Sequence, residues 1–207
     1  MMEGELLKKD ENKKYMSKLN LLFFKAISED CPSIEDLEEF LFNFTRKTGD
    51  NFKVIESQTP EFKELSEKYN LEYFPATMYQ EQENIRLFGD VRGELEIVLE
   101  FFREYLENKP PIKPETKEFL DSLEEKIEIN IFSTNMCPAC PVMIDVALKV
   151  AINSNGKIVL NVFNVMNFRS FVDKYSIMAV PFVVCSNGAS WVGVKTESKL
   201  IEELRSR

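Results

Sequence analysis

Ile127-Glu128-Ile129-Asn130-Ile131-Phe132 is followed, two residues on, by Asn135-Met136-Cys137-Pro138-Ala139-Cys140-Pro141. The first run is apolar and strand-like, and from Pro141 to Val150 the pattern turns helical. A C-x-x-C step occupies the joint. Residues three apart on a helix share a face, so two sulfurs at this spacing come within bonding reach. A cysteine at a helix start also meets unpaired backbone N–H groups and the positive end of the macrodipole, which favour thiolate. A free thiol has a pKa of about 8.5, leaving a few per cent thiolate at neutral pH. A helix terminus worth up to ~2 kcal/mol lowers that by roughly one unit. C-x-x-C motifs reach about 7, and about 3.5 in oxidising proteins. The residues therefore point to a dithiol/disulfide exchange centre, with Cys137 attacking and Cys140 resolving.

Two other uses of the pair fit less well. A structural zinc site needs four ligands, and the chain has four Cys, no His and no second C-x-x-C. A purely structural disulfide across three residues closes too small a loop to stabilise much.

Composition narrows the class. A chain of 207 residues holds one large domain or two of about 100. With 44% hydrophobic residues and 17 Phe it can bury a substantial core. The net charge of −9 offers no basic surface to neutralise phosphates, which argues against nucleic acid and against acidic membranes. Met1-Met-Glu-Gly-Glu-Leu6 lacks a basic segment leading into an apolar core, and apolar runs such as Leu21–Phe24 are too short to span a bilayer. A cytoplasmic location is expected, where paired C-x-x-C cysteines are more often catalytic than structural. Without His, any proton shuttle is a carboxylate, a lysine or water.

Taken in order, the chain reads as a helix over Glu5–Lys18, then a strand over Asn20–Ala26. After Cys31-Pro32-Ser33-Ile34 comes a helix with Leu37, Phe40, Leu41 and Phe44 on one face, closed by Gly49. A strand follows at Phe52–Glu56, then a short helix capped by Thr59 with Pro60 first. Strands at Phe74–Tyr79 and Ile85–Phe88 precede a long helix over Gly93–Glu107. Lys109-Pro110-Pro111-Ile112-Lys113-Pro114 suits neither helix interior nor central strand. It is expected to be a semi-rigid linker, over 109–114, between units 1–108 and 115–207.

The second unit then repeats the first. It predicts a helix at Pro114–Glu125, a strand at Lys126–Phe132, a helix at Val142–Ala151 and a strand at Lys157–Phe163. A helix at Asn167–Tyr175, strands after Pro181 and at Trp191–Val194, and a helix at Thr196–Arg205 follow. Cys31 and Cys137 lie 106 positions apart, as do Pro75 and Pro181. At that offset Leu37 falls on Met143, Phe44 on Val150, Phe62 on Phe168 and Tyr69 on Tyr175. Aligned periodicities together with an aligned Cys-Pro and a later proline indicate tandem domains.

Each half resembles a thioredoxin fold: strand, Cys-Pro-x-x at a helix start, and an X-Pro step 44 residues later leading into a strand. The whole chain resembles the tandem protein disulfide oxidoreductases of archaea and thermophiles, also called glutaredoxin-like proteins. That resemblance implies an α/β fold of two thioredoxin-like units, each a mixed central sheet flanked by helices. It implies cis peptides at Phe74-Pro75 and Val180-Pro181, with Pro138, Val180 and Pro181 supporting the active disulfide. No cofactor is implied. Expected partners are protein disulfide substrates and a thioredoxin reductase-like electron donor.

The halves differ where chemistry resides. Ile34 stands where Cys140 stands, and an isoleucine cannot resolve a mixed disulfide, so Cys31, Pro32, Phe74 and Pro75 form a degenerate first site. Cys31 is either a remnant in a scaffold unit or a monothiol, and the preceding Glu29 and Asp30 raise its pKa. Cys185 lies among apolar neighbours as a buried inert thiol. Ile131 and Lys25 occupy the positions where thioredoxins keep a buried acid, so the proton acceptor for Cys140 is open. Trp191 reads as core or as a wall near the second site. Two other functions are compatible with the residues. One is an electron carrier to a peroxiredoxin, as in the N-terminal part of the alkyl hydroperoxide reductase flavoprotein. The other is a chaperone-like binding module with minor redox activity.

Overall fold

Leu21–Phe24 is apolar on both sides of the strand, and Ile129, Ile131 and Phe132 put apolar residues on both sides of theirs, a pattern that needs a sheet covered on both faces. The structure, a computed structural model describing residues 15, 17–26 and 34–206, places both runs centrally in one eight-stranded sheet. The first half contributes β1 (Asn20–Lys25), α1 (Ile34–Thr48), β2 (Asn51–Glu56), α2 (Pro60–Lys68), β3 (Ala76–Tyr79), β4 (Ile85–Phe88) and α3 (Glu96–Glu107). The second contributes α4 (Pro114–Ser122), β5 (Ile127–Ser133), α5 (Cys140–Asn153), β6 (Ile158–Asn164) and α6 (Arg169–Tyr175). It ends with β7 (Phe182–Cys185), β8 (Ser190–Val192) and α7 (Glu197–Arg205).

Topology repeats with the sequence. The order β2-β1-β3-β4 in the first half matches β6-β5-β7-β8 in the second. In each, the first two strands in sequence pair in parallel and the rest antiparallel. The two sheets join through parallel pairing of β4 with β6, Ile85 opposite Leu160 and Phe88 opposite Phe163. One face carries a core built with α1, α3, α5 and α7 that includes Leu37, Phe102, Met143 and Leu200. The opposite face carries a smaller, aromatic core under α2 and α6.

Local expectations hold with shifts at the ends. Thr59 Oγ1 accepts the Phe62 N–H at 3.1 Å, capping α2 ahead of Pro60. The helix expected from Gly93 opens as a 3₁₀ turn, Gly93–Leu95, before α3. The helix expected over Glu5–Lys18 lies outside the described residues except for 15, 17 and 18, which are not helical. Among the described residues no helix is long and apolar enough to cross a membrane.

One polar cluster inside the first half was not expected. Arg103 of α3, fully buried, donates through Nε to both Asp50 oxygens (3.0 and 2.7 Å) and through a terminal nitrogen to the Ser17 carbonyl at 2.6 Å. Tyr79 Oη and the Leu19 N–H also donate to Asp50, each at 3.1 Å. The Arg103 guanidinium stacks 4.1 Å from the Tyr15 ring centre. Burial and the Asp50 carboxylate together hold the Tyr79 hydroxyl well above the ordinary phenol range. The network ties β3, α3 and the chain entering β1 to the turn before β2.

Candidate functional site

At the C-terminal end of β5 the chain leaves the sheet and turns through 134–139 into α5. Cys137 sits in that turn and Cys140 is the first residue of the helix, so the sulfurs do not ride one regular helical face as the spacing suggested. Two backbone bonds hold the turn: Cys137 N–H to the Thr134 carbonyl at 3.4 Å, and Cys140 N–H to the Cys137 carbonyl at 3.2 Å. Pro141, in the first turn of α5, needs no N–H partner there. Cys137 and Cys140 form a disulfide with Cα atoms 5.4 Å apart. Their exposures differ in the way that matters for exchange. Cys137 is 7% exposed and flanked by exposed Met136, Pro138 and Ala139, whereas Cys140 is 0% exposed. Ala139, the residue ahead of the helix, makes no side-chain cap bond, which leaves the positive end of the helix to the sulfurs.

Both expected X-Pro bonds, Phe74-Pro75 and Val180-Pro181, are cis. Each proline carbonyl accepts a glycine N–H, Pro75 from Gly89 at 2.9 Å and Pro181 from Gly193 at 2.8 Å. Val180 packs against the core cluster that contains Cys137 and Cys140. Phe74 packs instead on Phe62, ring centres 4.7 Å apart, within the aromatic core. Cys31 and Pro32 lie outside the described residues, while Ile34 is buried at the start of α1. Ile131 is fully buried beneath the disulfide-bearing turn, and Lys25 pairs with Glu38 at 2.7 Å, which raises its pKa. Cys185 is a free, buried thiol, pushed up to about 12 by burial and then by the Glu203 carboxylate. Trp191 packs against the main core, with Lys195 Nζ 5.1 Å from its ring centre.

Three asparagines that carried no assignment in the sequence clamp this turn to the first half. Asn135 Nδ2 donates to the Arg92 carbonyl at 3.1 Å, and the Asn135 carbonyl accepts the Glu94 N–H at 2.9 Å. Asn164 Nδ2 reaches the Asp90 carbonyl at 2.9 Å and also Asn135 Oδ1, while Asn167 Oδ1 accepts the Asp90 N–H at 2.8 Å. The approach requires glycine on the facing loop. Gly93 has φ +67°, and a Cβ there would lie 2.7 Å from the Asn135 carbonyl oxygen. The signal was present as Gly89 and Gly93 bracketing Asp90-Val-Arg92, but their facing partners are more than forty residues away. Beside the clamp, Glu94, Glu96 and Glu100 line a groove with Ile97 and Met136, placing negative charge next to the turn.

Residues 127–205 match the thioredoxin domain family. A thioredoxin of Methanocaldococcus jannaschii is 32% identical over 82 residues, which cover 40% of this chain and 96% of that protein. The chain belongs to the thioredoxin family. Thiol–disulfide exchange is the chemistry of this thioredoxin-family site, in keeping with its Cys137–Cys140 bridge. Two solved structures extend the likeness in fold to both halves. A protein disulfide oxidoreductase from Aeropyrum pernix superposes with a TM-score of 0.83 at 20% identity, covering 93% of this chain and 86% of that one. The alkylhydroperoxide reductase AhpF of Enterococcus faecalis gives 0.79 at 22% identity, covering 92% of each chain.

Proposed function

We propose that this chain is a cytoplasmic protein disulfide oxidoreductase built of two thioredoxin-like units, 1–108 and 115–207, with its working pair in the second. The observation that supports the assignment of roles is the placement of the two bridged residues, Cys137 in the turn and 7% exposed, Cys140 at the helix start and 0% exposed. The Cys137 thiolate attacks one sulfur of a substrate disulfide; that S–S bond breaks, and the substrate's other sulfur leaves as a thiolate. Cys140, deprotonated, then attacks Cys137 Sγ, which expels the second substrate thiolate and closes the Cys137–Cys140 bridge. Two electrons pass to the substrate, and a thioredoxin reductase-like donor restores the dithiol. Run backwards, the same steps insert disulfides, and the direction follows the relative potentials.

Reduction of an insulin-like disulfide substrate tests the scheme. Cys137→Ser abolishes turnover, and Cys140→Ser accumulates a covalent adduct that reductant releases. If Cys140→Ser forms no such adduct while Cys137→Ser remains active, the assignment of roles fails. A second reading, an electron carrier to a peroxiredoxin, is supported by the complete C-x-x-C in the second half alone and by the tandem fold shared with the alkylhydroperoxide reductase AhpF. Rapid reduction of a peroxiredoxin with poor activity on insulin would favour it.

A further inference from the structure

The sheet face opposite the disulfide carries two transverse rows where the halves meet. Phe88, Phe163 and Phe132 stand in register across β4, β6 and β5, with adjacent rings stacked 4.7 and 5.5 Å apart. Two residues earlier on each strand the row is polar: Arg86 opposite Asn161, and Asn161 opposite Asn130. These rows line a cleft of about 300 Å³ between α6 and the chain after α2, near the lower limit for small-molecule sites.

The polar row is incompletely satisfied. Asn161 is 5% exposed; its Nδ2 donates to Asn130 Oδ1 at 2.9 Å and Glu128 Oε1 at 3.1 Å, and its Oδ1 has no partner among the described residues. Arg86 makes no hydrogen bond or ion pair among the described residues, and its Nε is buried. Burial draws its pKa below the ordinary guanidinium value, opposed by the Glu128 carboxylate. A desolvated guanidinium without an acceptor is costly, and a planar fork of donors matches a carboxylate. Glu72 and Lys174 on the cleft wall bring the carboxylates and the cations to two each. That balance disfavours a multiply charged anion and suits a ligand carrying one charge of each sign.

We infer that this cleft binds the head group of a free α-amino acid, carboxylate on Arg86 and ammonium on Glu128, above a floor of buried aromatic rings. Titration of the ¹⁵N-labelled full chain with L-phenylalanine, followed through the side-chain amides of Asn130 and Asn161, tests it. Both amides shift with saturation in the millimolar range or below. Phenylethylamine, which lacks the carboxylate, and inorganic phosphate leave them unmoved. Arg86→Gln weakens binding at least tenfold, and Glu128→Gln, which keeps an acceptor for Asn161, does so independently should the first variant fold poorly. The inference is overturned if L-phenylalanine moves neither amide, if phosphate moves them equally, or if both Gln variants bind as the parent does.

Discussion

At matched positions the two halves place an isoleucine and a cysteine at the start of a helix, Ile34 in α1 and Cys140 in α5, and both side chains are buried against the same core. The exchange keeps the packing and deletes the chemistry. Elsewhere the polarity of the interior is reversed. The first half buries an ionic network, Asp50–Arg103 with Tyr79, and the residue aligned with Tyr79 in the second half is the apolar-packed thiol Cys185. The second half holds its reactive turn by hydrogen bonds reaching into the first, through Asn135, Asn164 and Asn167. One copy thus carries the buried charge and the other carries the bridged cysteines.

The sharpest test of that division is loss of chemistry. Cys137→Ser lowers insulin reduction by about 10³-fold or more, since no other cysteine in the second half is accessible to attack. Next comes the lock. Asp50→Asn leaves the buried Arg103 with Glu107, at 3.7 Å, as its remaining carboxylate and costs about 3–5 kcal/mol, read from urea midpoints; a loss under about 1 kcal/mol would remove the ionic network from the account. Gly93→Ala strains a left-handed residue and presses on the Asn135 carbonyl, which costs about 1–3 kcal/mol and slows turnover. Unchanged turnover would mean that the clamp does not position the cysteine turn. Cys31→Ser changes turnover less than twofold, and a tenfold drop would show that the first half does chemistry.

The smallest effect is a pH dependence. The buried Cys185 thiol titrates near 12 in the folded chain against an ordinary value of 9.0. Below pH 9.0 it contributes nothing to the pH dependence of stability. From there toward 12 the unfolded chain releases the proton first, so stability falls as pH rises. Cys185→Ala flattens that fall in thermal melts above pH 9.0, and an unaltered slope would place the thiol in water.

Much of this was legible without coordinates because it is local or periodic. Period-2 and 3.6 patterns, Thr59-Pro60 at a helix start and a 106-residue offset linking two Cys and two Pro depend on neighbours in sequence or on simple repetition. The C-x-x-C pair was legible for the same reason, since three residues of turn can bring two sulfurs together wherever the fold puts them. Arg103 shows the limit. Four residues after Leu99, it lies on the apolar face of α3, yet its burial depends on Asp50 fifty-three residues earlier.

Residue order alone gives the duplicated α/β pattern, the C-x-x-C pair and the isoleucine that stands at 34 where the second half has Cys140. It took the folded chain to establish that the halves share one sheet through β4 and β6, that Cys137 sits in the turn while Cys140 opens the helix, and that asparagines clamp that turn. The reason is range. Backbone propensity and side-chain period act over a few residues, whereas burial and the pairing of polar groups depend on which distant segments the closed sheet brings into contact.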